Sequence, residues 1–231
     1  EPIVEMANRN GVCVMVDNTF GMGGYLFRPF EWGANVSIHS ATKWICGHGT
    51  ALGGVVVDGG NFDWTPEKYP LLAAPSESYH GLVYKEVFGN AAFAGRVRVD
   101  GLRNIGPAAS PFNSFLMLQG LETLSLRAER CCANALAIAE FLEGHPAVES
   151  VNYVGLKSNP YHELACKYLR NGFGGVLTFR VKGGFDAAAA LVSRLELILH
   201  VGSVGDAKSL IVHPASTTHS QLSPEEQVAA G

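Results

Sequence analysis

The first third of the chain contains three short runs of mainly apolar residues, each followed by a polar residue or a turn. The runs cover residues 12–16, 36–39 and 53–57 and are rich in valine. Short runs that are β-branched and almost continuously apolar are typical of strands in a sheet that is covered on both faces. The pattern therefore predicts a core built on such strands.

Helix and strand patterns alternate along the rest of the chain. Residues 61–89 are rich in Pro, Gly, Tyr and Ser, which predicts a long irregular segment, and residues 111–143 have the apolar spacing of one long helix. Further strands are expected at 148–154, 175–181, 197–201 and 210–212, and further helices at 161–169 and 185–195. This alternation predicts an α/β fold with two domains, residues 1–130 and 131–231.

The composition of the chain argues against nucleic acid and membranes as partners. The 231 residues are 47% hydrophobic and carry a formal net charge of −4 without a basic run, so nucleic acid is not expected as a partner. No apolar stretch reaches the roughly 20 residues that span a membrane, so no membrane partner is expected. The five cysteines are odd in number and have no C-x-x-C spacing, which is typical of reduced thiols. We expect a cytoplasmic protein.

One lysine occupies an unusual position after the second predicted strand. Residues 39–44 read HSATKW and are followed closely by the sequence GHGT, so Lys43 lies between the hydroxyl residues Ser40 and Thr42. Most lysines are solvated surface residues, but a partly buried amine is a usable nucleophile toward an aldehyde. Ser40 and Thr42 could bind a phosphate, although such residues more often only form turns. An amine beside a phosphate site predicts pyridoxal 5′-phosphate (PLP) as the cofactor.

A carboxylate follows the first predicted strand. Asp17 comes directly after the run at residues 12–16, and the carboxyl ends of strands in open α/β sheets face the ligand crevice. A carboxylate beside the pyridine nitrogen of PLP keeps that nitrogen protonated, and the protonated ring is an electron sink. Asp17 alone fits a turn equally well. The presence of Lys43 after the next strand favours the cofactor role.

Two other patterns are weaker. Residues 21–24 read GMGG after a strand, but the dinucleotide-binding fingerprint requires Gly or Ala at the position of Leu26. His213 and His219 are close in sequence, but no third ligand follows at a suitable spacing. We therefore expect no dinucleotide and no metal.

Taken together, these residues resemble the Cys/Met-metabolism family of PLP-dependent enzymes. The matching segments run in order through nearly the whole chain and read VDNTF, HSATKW, GHGT, LQGLETL, NGFGG, VGDAKSL and HPASTTH. Within the family, the sequences GMGGY at residues 21–25 and YHG at residues 79–81 look most like those of O-acetylhomoserine sulfhydrylases. The resemblance implies the PLP-dependent transferase fold of type I, with a large mixed-sheet cofactor domain and a smaller α/β C-terminal domain.

The resemblance also implies a role for each matching residue. Lys43 would be the catalytic amine and would hold the cofactor aldehyde as an internal aldimine. Asp17 would pair with the pyridine nitrogen, and Thr19 would lie near the ring oxygen of the cofactor. Ser40 and Thr42 would hold the phosphate.

The reaction implied by the resemblance is γ-replacement on O-acetyl-L-homoserine, in which sulfide gives homocysteine and acetate. Ser203 would face the substrate carboxylate and the lysine amine. Sulfhydrylases are expected to have Asn at this position, so a related γ-synthase or lyase that uses a carbon nucleophile or cysteine stays open. A catalytically silent structural subunit is a third hypothesis, and the joint presence of Asp17, Ser40, Thr42 and Lys43 argues against it.

The resemblance further implies a homotetramer made of two dimers, and a chain that is cut at both ends. Relatives are expected to have a long region before Glu1 that supplies a glycine-rich phosphate loop, an aromatic ring stacked on the cofactor and a Tyr/Arg pair. They are also expected to continue past Gly231 to an arginine that binds the substrate carboxylate.

Overall fold

A three-stranded mixed sheet lies at the centre of the first half of the chain. In the computed structural model, which describes residues 2–230, the strands are β1 (Met15–Asp17), β2 (Val36–Ser40) and β3 (Gly54–Asp58), in the order β1-β2-β3. β1 and β2 are parallel, whereas β2 and β3 are antiparallel. All three strands lie within a few residues of the apolar runs that predicted them.

The prediction that both faces of this sheet are covered is wrong for β3. Val36 and His39 of β2 are buried, but the three valines at residues 55–57 are 39% to 48% exposed. Within residues 2–230, no strand pairs with the outer edge of β3. An apolar run indicates which residues avoid water but does not identify the element that covers them.

Helices and two small sheets form the rest of the described chain. The helices are α1 (Pro2–Arg9), α2 (Pro70–Ala73), α3 (Tyr84–Phe88), α4 (Ala92–Arg96), α5 (Arg103–Ile105), α6 (Pro111–Glu122), α7 (Leu124–Glu143), α8 (His162–Tyr168), α9 (Gly184–Arg194) and α10 (Pro224–Ala230). The remaining strands are β4 (Val148–Asn152) antiparallel to β5 (Thr178–Val181), and β6 (Leu199–His200) parallel to β7 (Leu210–Ile211). None of the helices within residues 2–230 combines the length and apolarity that crossing a bilayer requires.

The segment predicted to be irregular, residues 61–89, is partly helical and contributes to a small core. Trp64, Leu72, Tyr84 and Ala92 are buried together. The carboxylate of Asp58, at the end of β3, accepts a hydrogen bond of 3.1 Å from the backbone of α4 and so ties this core to the sheet. The prediction failed because the buried aromatic residues are too widely spaced to give a periodic pattern.

The single helix predicted over residues 111–143 is two helices, α6 and α7. The chain leaves helical geometry at Thr123, where φ is −107° and ψ is 8°. The Arg127 side chain donates to the Gly120 carbonyl at 2.6 Å. A side chain thus occupies the carbonyl that residue 124 would use in a continuous helix. The predicted domain boundary, between residues 130 and 131, falls inside α7.

Candidate active site

Lys43 lies in a tight turn directly after β2. The turn is closed by backbone hydrogen bonds from Lys43 N to Ser40 O at 3.2 Å and from Gly47 N to Lys43 O at 2.7 Å. The next side chain, Trp44, is 3% exposed and packs in a core cluster with residues of α7. Trp44 therefore anchors the backbone, while Lys43 is only partly buried.

The Lys43 amine donates a hydrogen bond of 3.1 Å to the hydroxyl of Ser203, a residue 160 positions away. The loop that carries Ser203 lies directly against the lysine turn. Gly205 has φ +73°, and a side-chain carbon there would fall 2.6 Å from the Trp44 nitrogen. Ala207 N also donates to Gly47 O at 2.8 Å. A glycine at position 205 is therefore needed for the approach that brings Ser203 to Lys43.

Asp17 and Ser40 are connected through Thr19. The Asp17 Oδ1 accepts hydrogen bonds from the Thr19 backbone at 3.0 Å and from the Thr19 hydroxyl at 2.7 Å. The same hydroxyl accepts a bond of 2.8 Å from the Ser40 backbone nitrogen. The ends of β1 and β2, which carry two of the predicted cofactor ligands, are thus held in one network.

This network also favours the ionised form of Asp17. The hydrogen bond from the Thr19 hydroxyl, and then that from the Thr19 backbone, hold the pKa of the Asp17 carboxyl below its usual value of 3.8. Asp17 is exposed. Within the part of the chain that the structure describes, its Oδ2 atom has no hydrogen-bond partner. An ionised oxygen is therefore free to pair with a protonated ring nitrogen.

The two hydroxyls expected to hold phosphate differ in their surroundings. The Ser40 hydroxyl has no partner within residues 2–230. The Thr42 hydroxyl accepts from Gly53 N at 3.0 Å and donates to Gly53 O at 3.3 Å. To bind a phosphate, Thr42 would have to turn its proton away from the Gly53 carbonyl. The phosphate role of both residues stays a prediction.

Three residues near this site were not predicted as functional. The Nε2 of His39, a buried residue of β2, is 3.0 Å from the Ser37 hydroxyl, and burial lowers the pKa of the His39 ring, which favours its neutral form. Gly120 and Arg127, at the junction of α6 and α7, contact the turn that carries Lys43. A glycine inside a helical pattern was the one available signal for this junction.

His213 is engaged structurally. Its Nδ1 lies 2.8 Å from the Ser216 hydroxyl, and its ring meets the Phe185 ring at 4.7 Å in an edge-on contact. Across residues 2–230, no group of three His, Cys, Asp or Glu side chains is arranged to hold a metal ion.

The residues present fit PLP. An ionised carboxylate at the end of β1, a hydroxyl without a partner at the end of β2 and a lysine amine in the adjoining turn are the groups that ring nitrogen, phosphate and aldehyde require. A mixed sheet that carries these three groups after two of its strands is typical of a PLP-binding enzyme.

The chain belongs to the Cys/Met metabolism PLP-dependent enzyme family, which matches residues 1–231. It is 54% identical over 231 residues to O-acetyl-L-homoserine sulfhydrylase 1 of Thermus thermophilus and 54% identical over 233 residues to the homocysteine synthase of Schizosaccharomyces pombe. These alignments include 100% of the chain but 55% and 54% of the relatives, so the chain spans about half the length of these curated relatives.

A solved structure confirms the fold. The structure from Campylobacter jejuni described as an O-acetylhomoserine (thiol)-lyase matches all of this chain and 55% of its own, with a TM-score of 0.93 and 39% identity. That protein carries an N′-pyridoxyl-lysine 5′-monophosphate. The fold predicted from the sequence, that of the PLP-dependent transferases of type I, is therefore correct.

Proposed function

We propose that this chain is part of an enzyme that catalyses γ-replacement on O-acetyl-L-homoserine, with sulfide as the nucleophile and homocysteine and acetate as products. The observation that carries the proposal is the hydrogen bond of 3.1 Å from the Lys43 amine to the Ser203 hydroxyl, together with the ionised Asp17 at the end of the neighbouring strand β1. The similarity to relatives named O-acetyl-L-homoserine sulfhydrylase and homocysteine synthase supports the choice of substrate.

Each side chain has a task in this reaction. When bound, PLP supplies an electron sink for negative charge that develops beside the substrate amine. Lys43 would hold the cofactor aldehyde, and its free amine would carry protons at the Cα and Cβ atoms of the substrate. Asp17 would keep the ring nitrogen protonated. Ser203 accepts a hydrogen bond from the Lys43 amine and fixes its position.

The test is an assay of the purified, cofactor-loaded protein with O-acetyl-L-homoserine and sulfide, with homocysteine detected by mass spectrometry. Lys43→Ala should reduce turnover by about 1,000-fold or more and should abolish the visible absorbance of a lysine-linked cofactor and its trapping by borohydride. Lys157→Ala, at an exposed position, is the matched control and should leave both unchanged. A colourless wild-type protein would favour a structural subunit instead.

Parallel assays, in which cysteine or a keto-acid carbanion donor replaces sulfide, show which nucleophile the enzyme uses. An enzyme that uses a different nucleophile is expected to differ from the sulfhydrylases at the position of Ser203, because this side chain contacts the proposed catalytic amine. Turnover with one of these donors in the absence of homocysteine formation from sulfide would overturn the proposal.

We further propose, from the resemblance to this family, that the enzyme is a cytoplasmic homotetramer and that its cofactor domain ends near residue 130. Light scattering on the purified protein tests the assembly, since a tetramer has four times the mass of one subunit. Limited proteolysis tests the domain boundary.

A further inference from the structure

We propose that Arg127 is a positioning residue for Lys43, because its guanidinium holds the backbone of the turn that carries the lysine. The consequence for catalysis rests on the proposed PLP-dependent function. The restraint on the turn is a property of the fold and can be measured without the cofactor.

The Arg127 guanidinium joins the lysine turn to the junction of α6 and α7. It donates from Nη1 to Trp44 O at 3.0 Å and from Nη2 to Ile45 O at 3.5 Å. It also donates from Nη2 to Gly120 O at 2.6 Å and from Nε to Thr123 Oγ1 at 3.2 Å. Four of its five N–H donors are therefore used, in one rigid plane. Two of the acceptors are the carbonyls that follow the lysine directly.

Two glycines make this close contact possible. A side-chain carbon at Gly47, where φ is +73°, would fall 2.2 Å from Arg127 Nη1. A side-chain carbon at Gly120 would fall 2.1 Å from Cys46 O and 2.5 Å from Ile45 O. A side chain at Gly47 would displace the guanidinium, and a side chain at Gly120 would push the helix junction and the turn apart. Gly120 is thus evidence for the close approach that does not depend on the position of Arg127.

The charge of Arg127 is met by carbonyl oxygens. Among residues 2–230, no carboxylate forms an ion pair with it. Burial lowers the pKa of the Arg127 guanidinium, although its cation remains the form present at neutral pH. Hydrogen bonds from a charged donor are about twice as strong as neutral ones. The carbonyls of the turn are therefore held more firmly than by ordinary backbone contacts.

The two ends of Lys43 are fixed by different elements. The Ser203 hydroxyl accepts a hydrogen bond from the Lys43 amine, whereas Arg127 binds the carbonyl of Trp44, the next residue along the backbone. A displacement of about 1 Å in a reacting group can cost roughly 100-fold in rate. A restraint on the backbone of a catalytic lysine is thus a restraint on proton transfer by its amine.

Amide hydrogen exchange of the cofactor-free protein tests the restraint itself. In Arg127→Met, the amides of Cys46 and Gly47, which bond to Ala41 O and Lys43 O, should exchange at least about tenfold faster, because the turn opens locally. The amides of β3 should be unchanged. Arg130→Met, an exposed arginine on the same helix, is the matched control and should not alter exchange in the turn.

The loaded enzyme tests the positioning role. Arg127→Met should lower kcat by roughly 10- to 100-fold while KM changes less than about threefold, and should shift the pH midpoint of the visible absorbance of the lysine-linked cofactor. Arg127→Lys keeps the charge but has no planar fork, so it should lie between wild type and Arg127→Met. If Arg127→Met does not fold, amide exchange in the turn, kcat and the pH midpoint of the absorbance are compared between wild type and Arg127→Lys.

The outcomes separate this proposal from the proposed function. A variant with a lower Tm but wild-type exchange in the turn, wild-type pH midpoint and wild-type kcat would overturn the positioning role. If the wild-type protein makes no homocysteine while Arg127→Met still accelerates exchange in the turn and shifts the absorbance midpoint, the proposed function fails and the positioning of Lys43 stands.

Discussion

Thr19 has a structural task besides the cofactor contact that the resemblance implied for it. It was expected beside the ring oxygen of the cofactor, and that role stays a prediction. Its hydroxyl donates to Asp17 and accepts from the Ser40 backbone, and its side chain is buried. Thr19 therefore favours the ionised form of one predicted cofactor ligand, Asp17, and holds the backbone of another, Ser40.

Replacement of Thr19 should destabilise the protein in a pH-dependent way. The hydroxyl lowers the pKa of Asp17 below 3.8, so the stability that it contributes is present above about pH 4 and is lost as the pH falls through the lowered pKa. The loss of unfolding free energy in Thr19→Val should thus be larger at pH 6 than at pH 3. Denaturant unfolding at both pH values measures this. Thr19→Ser keeps the hydroxyl and should show a smaller effect, and equal losses at both pH values would contradict the argument.

At the scale of elements, the junction of α6 and α7 is specified by contacts that cross it. Gly120 and Arg127 are close in sequence to the break at Thr123, and both touch the turn after β2. The break therefore lies where α6 and α7 contact the lysine turn. A change in the angle between the two helices would also displace the turn.

Gly120→Ala should lower stability although alanine is the better helix former. Alanine gains about 1 kcal/mol over glycine inside a helix, but its Cβ would fall 2.1 Å from Cys46 O. Forced displacement of this kind typically costs about 1–3 kcal/mol, so a net loss of up to about 2 kcal/mol is expected in thermal or denaturant unfolding. Gly101→Ala is the control, because nothing lies within 4 Å of its added Cβ. A stabilised Gly120→Ala would refute the packing argument.

Strands could be predicted from the sequence where the signal is local, and so could the positions of candidate site residues relative to them. The runs that became β1, β2 and β3 are short and apolar; Asp17 directly follows the first run, and Lys43 lies in the turn after the second. The contact between Lys43 and Ser203 followed from family resemblance, because 160 residues separate the pair. The break at Thr123 was missed because it depends on Arg127, whose partners lie in another element. Periodicity carries no information about such partners.

At the scale of the whole molecule, a further contact between the two halves of the chain joins two segments that are far apart in sequence. The rings of Trp32 and Tyr168 meet edge-on with centroids 4.6 Å apart. Nearby, Arg170 N donates to Leu26 O at 2.9 Å. Arg170 also forms an ion pair with Glu31, but both side chains are substantially exposed. The aromatic contact should therefore dominate, since exposed ion pairs contribute about 0–1 kcal/mol.

Trp32→Ala should cost more stability than Glu31→Gln. Removal of the partly buried indole should lower the unfolding free energy by about 2–3 kcal/mol, less than a fully buried tryptophan would. Loss of the Glu31 charge should cost under about 1 kcal/mol. Denaturant titrations of both variants decide between them. A larger loss in Glu31→Gln would mean that the ion pair, and not the rings, contributes most to this contact.

The outer edge of β3 has a consequence for the behaviour of this chain in solution. Within residues 2–230 no strand pairs with this edge, and a strand edge with three half-exposed valines is a template onto which a second copy can add its own strand. Preparations of the isolated 231-residue chain should therefore form β-rich aggregates that bind thioflavin T, at a rate that rises with concentration. Val56→Lys places a charge on that strand and should delay them.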